Sequence, residues 1–148
     1  SVAGFLLSNA RPIVPLPAGE EASSLSAILL DDDYYAYMKS GCKEVDGIMV
    51  LDEVHLVPFK AKAYLDLSKR KAAGERVDSS DIKKHKKDVF RLAQLFSPRT
   101  SSALPDSIRN DMTEFCEKVR AEGVPLKQMG VPMTLEEGIE LIKRVYDL

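Results

Sequence analysis

Two helical patterns lie next to each other between Val50 and Leu95, and they constrain the fold more than any other part of the sequence. The first runs from about Asp52 to Ala73, and the second follows to about Phe96 after a short polar turn at Gly74. In each, apolar residues recur every three or four positions, which is typical of a helix that buries one face. The second stripe consists of Ile82, His85, Val89, Leu92 and Phe96. Together the patterns predict a pair of amphipathic helices.

The start of each of these helices carries a local signal. Pro58 leaves two alternatives for the first, because an interior proline is costly. Either that helix begins near Asp52 and contains the proline, or it begins near Val57 with the proline in its first turn. Asp78 to Asp81, DSSD, resembles a helix cap, with an acidic residue three positions after the capping one.

Short strands are predicted in the first 50 residues. Ser1 to Leu7, SVAGFLL, is small and apolar, and Leu25 to Leu30 is a second apolar run. Cys42 to Val50 predicts a third strand region, with Asp46-Gly47 as a turn signal. A short helix from Asp33 to Lys39 is expected between the second and third of these runs, ending at Gly41.

Three consecutive aspartates, Asp31, Asp32 and Asp33, admit a cap or a metal site. A cap is favoured, because carboxylates stabilise the positive end of a helix. Adjacent side chains on a helix point about 100° apart, so these carboxylates do not converge on one ion.

Two further helices complete the predicted fold. The first runs from Pro105 to Glu122 with a stripe of Ile108, Met112, Phe115 and Val119, and the second starts at a capping box of Thr134 and Glu137 and runs to about Tyr146. The expected class is therefore α+β: a few short N-terminal strands in 1–50, followed by a bundle of about four helices in 51–148. No linker divides the 148 residues, so a single domain is predicted.

The composition excludes several classes of protein. Hydrophobic residues make up 45% and charged residues 30% of the chain, which is globular rather than disordered. No apolar run approaches the roughly 18 residues of a membrane helix, and no signal peptide is recognisable. Cys42 and Cys116 match no metal spacing, so free thiols in a reducing cytoplasm are expected.

Basic charge is concentrated on the central helices. From Lys60 to Arg91 there are 11 Lys and Arg residues against 5 Asp and Glu, although the whole chain carries a net charge of -2. The segment is consistent with a solvated face or with a cationic wall for nucleotide or RNA phosphates. Glycine-rich phosphate loops, an HExxH metal motif and a recognisable catalytic triad are all absent from the sequence.

Lys60 and His85 stand out among the polar residues of this segment. Lys60 lies beside Leu56, Ala63 and Leu67, partly on the apolar side of its helix. A lysine there either extends along the apolar surface or points at a ligand. His85 lies on the apolar stripe, where a histidine at the edge of the core is more common than a catalytic base.

The central stretch resembles a family. LDEVHLVPFKAKAYLDL, followed about 20 residues later by KKHKKDVFRL, looks like the AbiEii/AbiGii toxin-like nucleotidyltransferases, which belong to the DNA polymerase β-like nucleotidyltransferase superfamily. Leu56-Val57 would be the family's hydrophobic pair and Lys60 its lysine. Lys87-Asp88-Val89-Phe90 would be its second motif. The resemblance covers roughly Ser24 to Leu95.

The resemblance implies a bacterial, cytoplasmic toxin of a toxin–antitoxin system. Such a protein transfers a nucleotide from a nucleoside triphosphate to an RNA, a tRNA or a protein, uses Mg²⁺ and pairs with an antitoxin. Lys60 and Asp88 would be the catalytic residues: Lys60 would contact nucleotide phosphate or be held by Asp88, which would orient it or assist proton transfer. The residues expected to bind substrate are Lys62, Lys84, His85, Lys87 and Arg91.

The sequence departs from the family at the catalytic motifs. The family's Gly-Ser motif is absent, and Asp31 and Asp33 come too late in the strand order to be its Asp-x-Asp pair. A two-metal site needs several converging carboxylates, so no metal ligands are assigned in these 148 residues. The chain is therefore interpreted as the C-terminal part of a longer protein and is expected to be inactive alone. The alternative is a non-enzymatic helical module that binds RNA or protein.

Overall fold

The computed structural model describes residues 26–148, and α-helices make up most of this part of the chain. Between the first two helices a small antiparallel hairpin pairs strands β1, Lys43–Val45, and β2, Ile48–Val50. Within the described range, every helix is too short or too polar to cross a membrane. The helices are α1 (Asp32–Gly41), α2 (Glu53–Ala72), α3 (Ser79–Ala93), α4 (Asp106–Glu122) and α5 (Leu135–Tyr146).

The predicted α+β class, with a few N-terminal strands before the helices, is wrong. Residues 26–28 of the strand predicted over 25–30 are helical, and a turn follows them. In that turn the N–H of Asp31 donates to the carbonyl of Ile28 at 3.0 Å, so the backbone bonds locally instead of forming a ladder. A short apolar run does not distinguish a strand from a buried helical turn, which explains the error. The strand predicted over 1–7 lies outside the described residues.

The predicted helix caps are confirmed. Asp31 caps α1, and Asp78 caps α3 by accepting the N–H of Ser80 at 2.8 Å. Both hydrogen bonds of the capping box between Thr134 and Glu137 are present in α5. Asp52 caps α2, so of the two alternatives for that helix the one containing Pro58 is observed. These local bonds fix where each helix begins.

The core lies where α2 and α3 pack on each other and on the C-terminal helices. The predicted stripe of α4 is confirmed, since all four of its side chains are 0% exposed. The ring of Phe115 on α4 packs against both central helices. Its centroid is 5.5 Å from that of Tyr64 on α2 and 5.9 Å from that of Phe90 on α3. The remaining faces of α2 and α3 carry most of the predicted site.

Candidate functional site

Lys60 of α2 and Asp88 of α3 form an ion pair between the two central helices. The Lys60 Nζ lies 3.1 Å from Asp88 Oδ2, and the two side chains are only 13% and 17% exposed. Of the two roles that the resemblance implies for Lys60, this geometry corresponds to a lysine held by Asp88. Because the pair is shielded from water, removal of either partner leaves the other charged group at the interface between the helices without this contact.

His85 is buried one helical turn before Asp88. Its side chain is 1% exposed, and it is the one polar or charged residue in the buried core of the described chain. This position agrees with a histidine at the core of the helix pair. A ligand approaching from solvent does not reach the imidazole without movement of the surrounding side chains, so direct substrate binding by His85 requires such a movement.

Lys62 does not join this group. Its Nζ lies 3.2 Å from Asp66 Oδ1 and 3.7 Å from Oδ2 of Asp111 on α4, and Asp111 also accepts the hydroxyl of Tyr34 at 2.8 Å. Burial lowers the pKa of Lys62, but the two carboxylates outweigh that effect and leave the pKa raised. Side chains two positions apart on a helix point about 200° away from each other. Lys60 and Lys62 therefore contact different neighbouring helices.

Lys84, Lys87 and Arg91 form a basic stripe on α3. Their spacing of three and four residues places them on the same side of the helix as Asp88. Lys84 and Arg91 are exposed, and Lys87 is half-buried. On the same side of α3 these three cations lie with two carboxylates, Asp81 and Asp88, and Asp88 is paired with Lys60.

Helix α1 begins at the three consecutive aspartates. Asp31 is its N-cap, and Asp32 and Asp33 lie in its first turn. The Asp31 Oδ1 accepts the N–H of Asp33 at 2.9 Å and that of Tyr34 at 3.2 Å, so the cap interpretation is confirmed. In residues 26–148 the structure places no cluster of three or more His, Cys, Asp or Glu side chains that would hold a metal ion.

A second shielded lysine, Lys86, was not singled out by the sequence. Its side chain is 13% exposed, its Nζ lies 2.8 Å from Glu122 Oε2, and it sits 5.6 Å from the ring centroid of Tyr64. Burial, followed by the nearby charges of Lys83 and Lys118, lowers the pKa of Lys86. Lys86 lies off the apolar stripe of α3. The partner Glu122 is 36 residues away, so only the tertiary fold reveals the pair.

Comparisons with protein-family models, with curated proteins and with solved structures give no match for this chain. A functional proposal for the chain therefore depends on its own residues and their contacts.

Proposed function

We propose that this chain is the helical part of a nucleotidyltransferase-like protein of the toxin type. The whole protein transfers a nucleotide from a nucleoside triphosphate to an RNA or protein acceptor with Mg²⁺. The observation that carries the proposal is the Lys60–Asp88 contact at 3.1 Å. These are the residues that the resemblance identifies in two separate motifs, and they meet across two helices.

The proposed roles follow from the chemistry of the two groups. Asp88 is a positioning residue. Its carboxylate holds the Nζ of Lys60 at the helix interface, so that the positive charge of the lysine is in place before the substrate binds. Lys60 then stabilises negative charge on the nucleotide phosphates. Preorganised charges stabilise a transition state better than mobile ones, because little reorganisation is needed when the reaction occurs. Mg²⁺ would be held by Gly-Ser and Asp-x-Asp motifs encoded outside these 148 residues.

The first test is the coding sequence on the 5′ side of the Ser1 codon. The proposal expects a Gly-Ser motif followed by Asp-x-Asp in the same reading frame. A reading frame that starts at this position, or one that continues upstream without these motifs, contradicts it.

The second test measures transfer of label from each nucleoside triphosphate by the protein expressed from its complete gene. Lys60→Met should reduce transfer about a hundredfold, the usual effect of removing one group that stabilises transition-state charge. Lys86→Met is the matched control, because that lysine is equally shielded, is also paired with a carboxylate and lies outside the proposed site. Equal transfer by wild type and Lys60→Met, or an equal loss in both variants, contradicts a role for Lys60 in the reaction.

The basic stripe favours a second candidate function, a helical module that binds RNA without catalysis. Three cations on one side of α3 match the charge of a phosphate backbone. This candidate predicts RNA affinity that falls with salt, no nucleotide transfer, and a shallower salt dependence for Arg91→Gln. Each phosphate contact to a single strand contributes roughly 0.7 to the slope of log affinity against log salt. Salt-insensitive binding to a protein would instead indicate an antitoxin-like partner.

A further inference from the structure

A cavity of about 270 Å³ opens between the C-terminal end of α5 and the segment that precedes α4. Residues 101–104 form one wall, residues 144–147 form the other, and Arg109 reaches it from the first turns of α4. None of these residues belongs to the predicted site, which lies on α2 and α3.

Two arginines, Arg109 and Arg144, are among the residues that line this cavity. Arg144 is held in place by three backbone carbonyls: its Nη1 donates to Pro98 at 3.1 Å and Thr100 at 3.5 Å, and its Nη2 donates to Ser97 at 3.4 Å. Carbonyls orient the guanidinium without neutralising its charge. Arg109 is 42% exposed, and its carboxylate contact is to Asp147, at 3.9 Å from Nη1.

Asp147 binds Arg109 only loosely. A separation of 3.9 Å is beyond the distance of a charge-assisted hydrogen bond, and the Asp147 side chain is 97% exposed. An incoming anion therefore displaces this carboxylate at little cost. Among the residues that line the cavity there are two arginines and one aspartate, so the lining carries a net positive charge.

The floor of the cavity is apolar and its volume is small. Val145 and Tyr146 are at most 1% exposed, and Leu104 is 9% exposed. Cavities that hold drug-sized ligands usually begin near 300 Å³, so this one suits a compact anion or the head group of a larger molecule. The planar guanidinium group of arginine can donate two parallel hydrogen bonds to the oxygens of a phosphate, so it matches phosphate in geometry as well as in charge. Two cations also favour a dianion over a monoanion.

We propose that this cavity binds the phosphate of a phosphate monoester or free phosphate, held between Arg109 and Arg144. Ser101 also lines the cavity, and its hydroxyl would be a further donor to the phosphate. The carboxylate of Asp147 moves aside when phosphate binds. The site is independent of the proposed nucleotidyl transfer, because it shares no residue with Lys60, Asp88 or the basic stripe.

The test is calorimetric titration of the protein with inorganic phosphate, a nucleoside 5′-monophosphate and acetate at constant ionic strength. Arg109→Gln should weaken phosphate binding about tenfold or more, the effect of losing a hydrogen bond to a charged group. Asp147→Asn should tighten it, because the competing carboxylate is gone. Arg120→Gln is the matched control, since it removes an arginine of the same helix that is 45% exposed, paired with Glu136 and outside the cavity, and it should leave binding unchanged.

Among binding that Arg109→Gln weakens, tighter binding of the monophosphate would identify an ester as the occupant, and equal binding would identify free phosphate; both support the site. Arg144 is left intact because its substitution would also release residues 97–100. The proposal is overturned by any of three results: no binding of either phosphate ligand, an equal loss in Arg109→Gln and Arg120→Gln, or acetate binding as tightly as phosphate.

Discussion

Replacing Tyr146 with phenylalanine removes one of two hydroxyls that donate to the carbonyl oxygen of Val54. That carbonyl lies four residues before Pro58, which has no N–H to offer it. The Tyr146 hydroxyl donates to it at 2.6 Å and the Tyr37 hydroxyl at 3.2 Å, and both bonds are buried. The tyrosines of α5 and α1 thus replace the hydrogen bond that the proline removes from α2.

The magnitude follows from the bonds that each variant retains. In the wild-type background Tyr146→Phe should cost about 1 kcal/mol of the free energy of unfolding, because the shorter bond is lost while Tyr37 remains. In a Pro58→Ala background the new N–H at position 58 donates to Val54, so the same change should cost less. The expected coupling between positions 58 and 146 is about 0.5 to 1 kcal/mol.

Urea unfolding followed by circular dichroism of the four proteins measures this coupling. Tyr64→Phe, made in the same two backgrounds, is the control: its hydroxyl donates to Glu122 and not to the backbone of α2, so its cost should not depend on Pro58. If Tyr146→Phe costs the same with and without the proline, the hydroxyl does not replace the missing amide.

Two further predictions concern titratable groups. Hydrogen bonds from Thr134, first from its backbone N–H and then from its hydroxyl, hold the pKa of Glu137 below its ordinary value. The ionised carboxylate therefore stabilises the fold above the ordinary pKa. This stabilisation is lost as the pH falls through the lowered pKa of the folded state. The stability deficit of Glu137→Gln, measured by urea unfolding, should therefore be constant from about pH 7 to 5.5 and shrink below about pH 4; a deficit that grows on acidification would contradict the cap. Burial raises the pKa of both thiols, to about 11 for Cys116, and Cys116 is buried whereas Cys42 is half-buried. Iodoacetamide at pH 8 should therefore alkylate Cys42 first. Faster labelling of Cys116 in peptide mass spectra would refute that order.

Features set by neighbouring residues could be predicted from the sequence. The caps at Asp31, Asp78 and Thr134 depend on side chains that bond a backbone N–H two or three positions away. The core stripe of α4 needed only the helical period. Residues 26–28 could not be assigned in this way, because three or four apolar residues satisfy both a helical turn and a strand.

Features set by tertiary contacts could not be predicted. The side chain of Lys62 binds Asp66, four residues later, which the sequence allows, but its second partner, Asp111, lies on α4. The cavity brings together Arg109 and Arg144, which are 35 residues apart and belong to no common pattern. Only the packing of α4 on α5 brings both residues to the lining of the same cavity.

The Lys60–Asp88 pair lies between these two cases, because it depends on the register of two helices joined by a short connection. Gly74, with φ of +90°, ends α2: its N–H donates to Lys71, and the N–H of Glu75 donates to Arg70, which is a Schellman motif. Four residues after Gly74, Asp78 caps α3. A shift of α3 by one residue would rotate it by about 100° and bring a neighbour of Asp88, a lysine or a valine, opposite Lys60. The local signals at the end of α2 and the start of α3 therefore determine whether Lys60 and Asp88, the two residues that the resemblance identifies, come into contact.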